Sequence, residues 1–130
     1  MTTSPLFSRV DTVVLRVRDR SAAVEWYRTR LGFQVVFQDP THGVAVFNVG
    51  HGGSLTVWEL QPDEVCPTAG AACAFPIFDA ADAIAQRREL IARGVNTSEL
   101  REISGVRCFS MWDPDGNRLD ACELLEPGGG

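Results

Sequence analysis

Several things this sequence lacks narrow its function before any motif is read. No apolar run approaches the roughly 20 residues that a membrane-spanning helix needs. The start, Met1 to Ser8, has no basic segment followed by an apolar one, so no signal peptide is expected. Basic residues are outnumbered: twelve against seventeen acids give a formal charge of -5, which argues against a nucleic-acid backbone as partner. The four cysteines, Cys66, Cys73, Cys108 and Cys122, have no close paired spacing and read as reduced, cytoplasmic thiols. Histidine is scarce as well. His42 and His51 are the only two, and both sit beside glycine in turn-like sequence, where exposure is expected rather than function.

What is present is globular composition. Hydrophobic residues make up 45% and charged residues 22% of 130 residues, the size of one ordinary domain. A chain of that length buries roughly two thirds of its unfolded surface, enough for a real core. Small molecules or proteins are therefore the expected partners.

The richest stretch is Trp112 to Asp120. Asp113-Pro114-Asp115-Gly116 is a strong turn signal, because proline presets φ, aspartate bonds its own backbone and glycine accepts positive φ. Val106 to Trp112 before it and Arg118 to Leu124 after it make a β-hairpin. Arg118, Asp120 and Cys122 share one face of the second strand. A carboxylate in mid-strand needs a metal, a cation or hydrogen-bond donors if that face is buried.

Taken from the start, Val10 to Val17 reads as a strand. Asp19 or Ser21 caps a helix through Leu31, and Gly32 ends it. Phe33 to Gln38, Val44 to Val49 and Ser54 to Leu60 follow as strands joined by glycine-containing turns. Gln61 to Gly70, with two prolines and no periodicity, reads as a linker. Ala72 to Phe78 is then strand-like, Asp79 caps a helix over Ala80 to Arg93, and Thr97 to Ile103 is a strand before the hairpin. The order βαβββ thus occurs twice, with Val17-Arg18-Asp19 matching Ile77-Phe78-Asp79. The expected fold is α+β: two βαβββ modules, about 9–60 and about 72–125, joined by a linker at about 61–71 and followed by a flexible tail at 126–130. They form a curved mixed sheet around a cavity, with helices outside.

Val13-Val14-Leu15-Arg16-Val17-Arg18-Asp19, Trp26-Tyr27, Leu31-Gly32-Phe33, Trp58-Glu59-Leu60 and Asp113-Pro114-Asp115-Gly116-Asn117 together resemble the vicinal oxygen chelate superfamily. That group includes glyoxalase I, bleomycin-resistance proteins, fosfomycin-resistance enzymes and extradiol dioxygenases. The resemblance covers nearly the whole chain and implies a homodimer. It also implies four cavity-facing metal positions, usually two histidines and two glutamates. Counted from the motif aspartates, these fall on Thr12, Glu59, Cys73 and Asp120. Both histidines are missing, and a threonine hydroxyl is a poor ligand at neutral pH.

Each position also has a plainer reading. Thr12 is an ordinary strand former and Cys73 a small buried hydrophobe. Glu59 and Asp120 can pair with Arg16 and Arg118, or those arginines can receive an anionic ligand. Trp58, alternating with Glu59, should face the helices, while Val14, Val57 and Phe75 are expected to wall the cavity. Three functional readings follow. One is a metal-free protein of the bleomycin-resistance type, binding a small organic ligand at Thr12, Val14, Arg16, Val57, Glu59, Cys73, Phe75, Arg118 and Asp120. The second is a lyase, isomerase or dioxygenase with zinc, nickel, manganese or iron held by Glu59, Cys73 and Asp120. The third is a metal-independent enzyme with Glu59 or Asp120 as catalytic acid or base. The favoured reading has no cofactor.

Overall fold

The computed structural model describes residues 4–65 and 74–125. Strand β1, Val13–Val17, alternates as its sequence demands: Leu15 and Val17 are buried and Val14 is exposed. Helix α1, Arg20–Arg30, begins at an Asp19 N-cap whose carboxylate accepts from Ala22 N at 3.0 Å. Arg28 and Arg30 in its last turn suit the negative end of the helix dipole. Beyond it Gly32 takes φ +74°, a left-handed conformation that lets the chain turn into the next strand. Three strands follow: β2, Gln34–Asp39; β3, Val44–Gly50; and β4, Gly53–Glu59.

The second half repeats this order with the strand after its helix split in two. Strand β5, Ile77–Asp79, leads to helix α2, Ala83–Ala92, then to β6, Asn96–Thr97, β7, Arg101–Ile103, β8, Val106–Trp112, and β9, Arg118–Leu124. The fold is α+β, two βαβββ units with a four-stranded sheet ordered β1-β4-β3-β2 and a five-stranded one ordered β5-β9-β8-β6, with β7 also on β8. In each unit the first strand runs parallel to the last, Val13↔Leu55 in one and Ile77↔Asp120 in the other.

Several details depart from the sequence reading. Strand β1 begins at Val13 rather than Val10, and β5 at Ile77, with residues 74–76 outside any strand. Helix α2 is capped by Asp82, which accepts from Ala85 N at 3.1 Å, while Asp79 remains in β5 opposite Cys122. The expected strand over Thr97 to Ile103 is split, because the Ser98 hydroxyl takes the N–H of Ser110 at 2.8 Å. A side chain thus fills the role of a ladder carbonyl, and the backbone leaves the sheet there. The expected strand residues Ala72 and Cys73, much of the linker and the tail 126–130 lie outside the described residues.

Each helix covers one face of its own sheet. Leu15, Val17, Tyr27, Phe47, Leu55 and Val57 form the first half of the core, and Phe109, Met111, Leu119 and Ala121 the second. The halves are tied through the Asp113 turn. Asp113 Oδ2 accepts from the Tyr27 hydroxyl at 2.7 Å and from Asn117 Nδ2 at 2.9 Å; its Oδ1 accepts the N–H groups of Asp115 and Asn117. Asn117 Nδ2 also donates to the Arg16 carbonyl, and Arg18 pairs with Asp115. Phe33 meets Phe78 edge-on at 5.6 Å.

Candidate functional site on the open sheet faces

Among the described residues no helix covers the second face of either sheet. Strand register assigns its residues. On the first sheet, Arg16 pairs with Trp58 and Val14 with Thr56, all on the face opposite Leu15 and Val57. On the second, Ser110 pairs with Asp120 and Trp112 with Arg118, opposite Phe109 and Leu119.

The predicted positions therefore separate. Thr12, Val14 and Arg16 lie on the open side of the first unit, whereas Val57 is fully buried in the helix-facing core and does not wall the open face. Glu59 and Trp58 are exchanged relative to expectation. Trp58 is on the open face beneath the Arg16 guanidinium, 4.1 Å from its ring centre. Glu59 turns toward α1, where its Oε1 accepts from Arg20 N at 2.9 Å. Gly43 sits against it: a Cβ there would come within 2.9 Å of the Glu59 Cβ, and the φ of +71° also requires glycine. Arg16 does not pair with the Glu59 carboxylate. It forks onto Glu64 at 3.0 and 2.6 Å and donates to the Trp58 and Glu59 carbonyls. Its hydrogen bond holds the Glu64 carboxyl below the usual range.

Glu59 also sets the internal repeat. Its counterpart is Glu123, whose Oε1 accepts from Ala83 N, the first residue of α2, at 2.9 Å. With Asp19 matching Asp82 as N-cap, Thr56 corresponds to Asp120, Val14 to Ile77 and Thr12 to Phe75. The repeat register differs from the one read through Asp79. Thr12 and Thr56 share a hydrogen bond at 2.9 Å, so in the first unit two hydroxyls occupy the inner positions.

In the second unit Asp120 is buried and held by cations. Arg118 Nε and Nη2 bond its two carboxylate oxygens at 2.9 and 3.0 Å, a bidentate fork. That bond holds the Arg118 guanidinium above its ordinary pKa. The same guanidinium lies 3.8 Å from the Phe75 ring centre. Arg101 approaches Asp120 at 3.9 Å and donates to the Ser110 hydroxyl at 3.1 Å. Cys73 lies outside the described residues. His42 bonds Asp39 at 2.7 Å in an exposed turn; His51 is exposed too.

Among the described residues no three histidine, cysteine, aspartate or glutamate side chains converge as metal ligands would. A separate cavity of about 350 Å³ lies on the helix side between the units, walled by Leu31, Phe33, Phe78, Leu90, Phe109 and Met111. Arg93 at its rim is occupied by Glu89 and by the Arg30 carbonyl.

Comparison with known proteins places this geometry. The profile of the Glyoxalase/Bleomycin resistance protein/Dioxygenase superfamily matches residues 9–121. The chain belongs to that superfamily. No curated protein matches the sequence. Among solved structures, a putative glyoxalase family protein from Bacillus anthracis is 19% identical with a TM-score of 0.79, over 94% of this chain and 99% of that one. A glyoxalase/bleomycin resistance protein/dioxygenase from Nocardioides is 24% identical with a TM-score of 0.72, over 100% and 91%. TnmS3, an antibiotic binding protein from Streptomyces sp. CB03234, is 22% identical with a TM-score of 0.77, over 93% and 99%. At these identities the similarity shows the superfamily's fold. No helix among the described residues is long and apolar enough to cross a membrane.

Sequence reasoning missed Arg101, Ser110 and Thr56. For Thr56 a signal existed. Thr56-Val57-Trp58-Glu59 and Asp120-Ala121-Cys122-Glu123 each end in a glutamate that caps the preceding helix, and aligning those glutamates gives the correct register. Arg101 and Ser110 carried none, since their meeting depends on where the chain leaves the sheet at Ser98.

Proposed function

We propose that this superfamily member binds a small organic anion with a flat or apolar body on its open sheet faces, without a divalent metal. The observation that carries the reading is the charge state around Asp120. Its carboxylate is already balanced by the Arg118 fork, and Arg101 adds a second guanidinium, so the open face of the second sheet holds two cations around this acid. An incoming carboxylate, sulfonate or phosphate matches that excess. Phe75, whose ring lies against Arg118, supplies aromatic surface for its body.

The donor chemistry does not fit the superfamily's metal. Thr12 and Thr56 satisfy each other, Asp120 is engaged by arginine, and Glu59 is turned away to the start of α1. Those engagements also leave neither carboxylate placed to move a proton, which favours binding over catalysis. That TnmS3 is described as an antibiotic binding protein supports the same choice. The reading includes a homodimer in which the second copy covers Val14 and Ile77, 47% and 60% exposed in one chain.

Thermal shift against aromatic carboxylates, sulfonates and phosphates tests this. A ligand at one hundred times its dissociation constant adds about 2.7 kcal/mol of stability. Stabilisation by anions that Arg118→Met and Arg101→Met each weaken is the expected result. Stabilisation confined to cations or neutral sugars overturns the proposal.

A further inference from the structure

Cys108 on β8 and Cys122 on β9 stand directly opposite each other in the antiparallel ladder, on the open face. The backbone fixes which kind of pair they make. The Cys122 carbonyl accepts from Ala80 N at 2.9 Å and so points toward β5, away from β8. Two residues along, the Ser110 carbonyl accepts from Ser98 N and the Asp120 N–H donates to the Pro76 carbonyl, both again outside the β8–β9 pair. Both pairs therefore occupy sites where facing residues exchange no backbone hydrogen bonds. At such sites the Cα atoms approach to about 4.5 Å and the side chains come closest. That distance lies at the short end of the ~4.4–6.8 Å that a disulfide spans. Both cysteines are free.

We propose that Cys108 and Cys122 form a reversible dithiol, a modification site oxidised by small disulfides of the glutathione type. Cys122 is the more open of the two and attacks first as its thiolate. One sulfur of the small disulfide bonds to Cys122, the original S–S bond breaks, and one small thiol leaves. Cys108, as thiolate, then attacks the Cys122 sulfur and expels the second small thiol. The balance is one protein dithiol and one small disulfide in, one protein disulfide and two small thiols out. Arg101 is paired with Cys108 across β7 and β8, so a cation stands beside the site to attract an anionic disulfide. Burial, then the neighbouring Cys108 and Asp120, push the Cys122 thiol up against the pull of Arg101, so the exchange runs faster as pH rises. A bridge at this short span between strands already held by their ladder is strained, and strained disulfides are the readily reduced ones. The inference stands independently of the ligand-binding reading.

The wild-type chain is sufficient for the test. Trypsin cuts after Arg107 and Arg118 and so puts Cys108 and Cys122 on different peptides, while Cys66 and Cys73 stay together on a third, ending at Arg87. The folded protein is incubated with glutathione disulfide, quenched by acid, alkylated, denatured and digested without reductant, and the peptides are weighed. The expected product is a single crosslinked species joining the Cys108 and Cys122 peptides, without glutathione, that dithiothreitol separates. The same treatment after unfolding should scatter the products over all four cysteines. Glutathione retained on both residues, crosslinks to Cys66 or Cys73 from the folded protein, or alkylation of both thiols after prolonged exposure would each overturn the proposal.

Discussion

Tyr27 shows how much one side chain carries here. It is buried, it stacks among Trp26, Phe33 and Phe47, and its hydroxyl donates to the ionisable Asp113 at 2.7 Å. Burial, then the neighbouring Asp113 charge, pushes the Tyr27 phenol well above its ordinary pKa. Burial likewise raises Asp113, against the bonds from Asn117 and Tyr27 that pull it down. Tyr27→Phe removes a bond to a charged group and should cost roughly 1.5–3 kcal/mol in urea denaturation at neutral pH. The sign with pH follows from the raised value. The stability is fully present below the unfolded tyrosine pKa of about 10 and is lost as pH rises through the folded one. The gap between wild type and Tyr27→Phe should therefore narrow above about pH 10; a gap that widens there contradicts the assignment. Arg118→Met is a different case, since Arg118 is partly exposed and Arg101 remains near Asp120. A loss of about 1–2 kcal/mol is expected, discounted for solvent screening, with partial recovery on adding Asp120→Asn.

At the scale of elements, the sequence displayed kind and order well and register less well. Alternation and turn chemistry located β8 and β9 to the residue, and glycine and capping rules located α1. Helix α2 was misread because Asp79-Ala80-Ala81-Asp82 offers two aspartates, and only packing decides which one caps. That single ambiguity carried through to the site, since the repeat register and hence the partner of Thr12 were counted from Asp79. Glu59 was misplaced for a related reason. Alternation tells which residues share a face, but not which face the helix takes. Two substitutions test the corrected assignment. Asp82→Ala should cost about 1 kcal/mol as a lost N-cap, and Asp79→Ala only a few tenths. Glu59→Ala should also cost about 1 kcal/mol, through the unsatisfied Arg20 N–H, and leave ligand binding unchanged. Equal effects of Asp79→Ala and Asp82→Ala would return the cap to its sequence-based position.

In the whole molecule, two small units whose described strands hydrogen-bond only within themselves are joined by contacts that include the Asp113 cluster, Arg18 with Asp115, Arg93 with the Arg30 carbonyl, and Phe33 with Phe78. The duplication was legible because each unit needs the same βαβββ order to cover one sheet face with one helix. The chemistry of the open faces was less so, because it is built from residues far apart in sequence, with Thr12 meeting Thr56 and Arg101 reaching Ser110 and Asp120. The proposed metal-free binding rests on those meetings, a hydroxyl pair in one unit and an arginine-held acid in the other. Elemental analysis of the purified, untagged protein, followed by thermal melts with zinc, nickel, manganese and iron(II), tests it most directly. The account predicts substoichiometric metal and melting temperatures that none of the four ions raises. Stoichiometric metal, or stabilisation that Asp120→Asn abolishes, would contradict it.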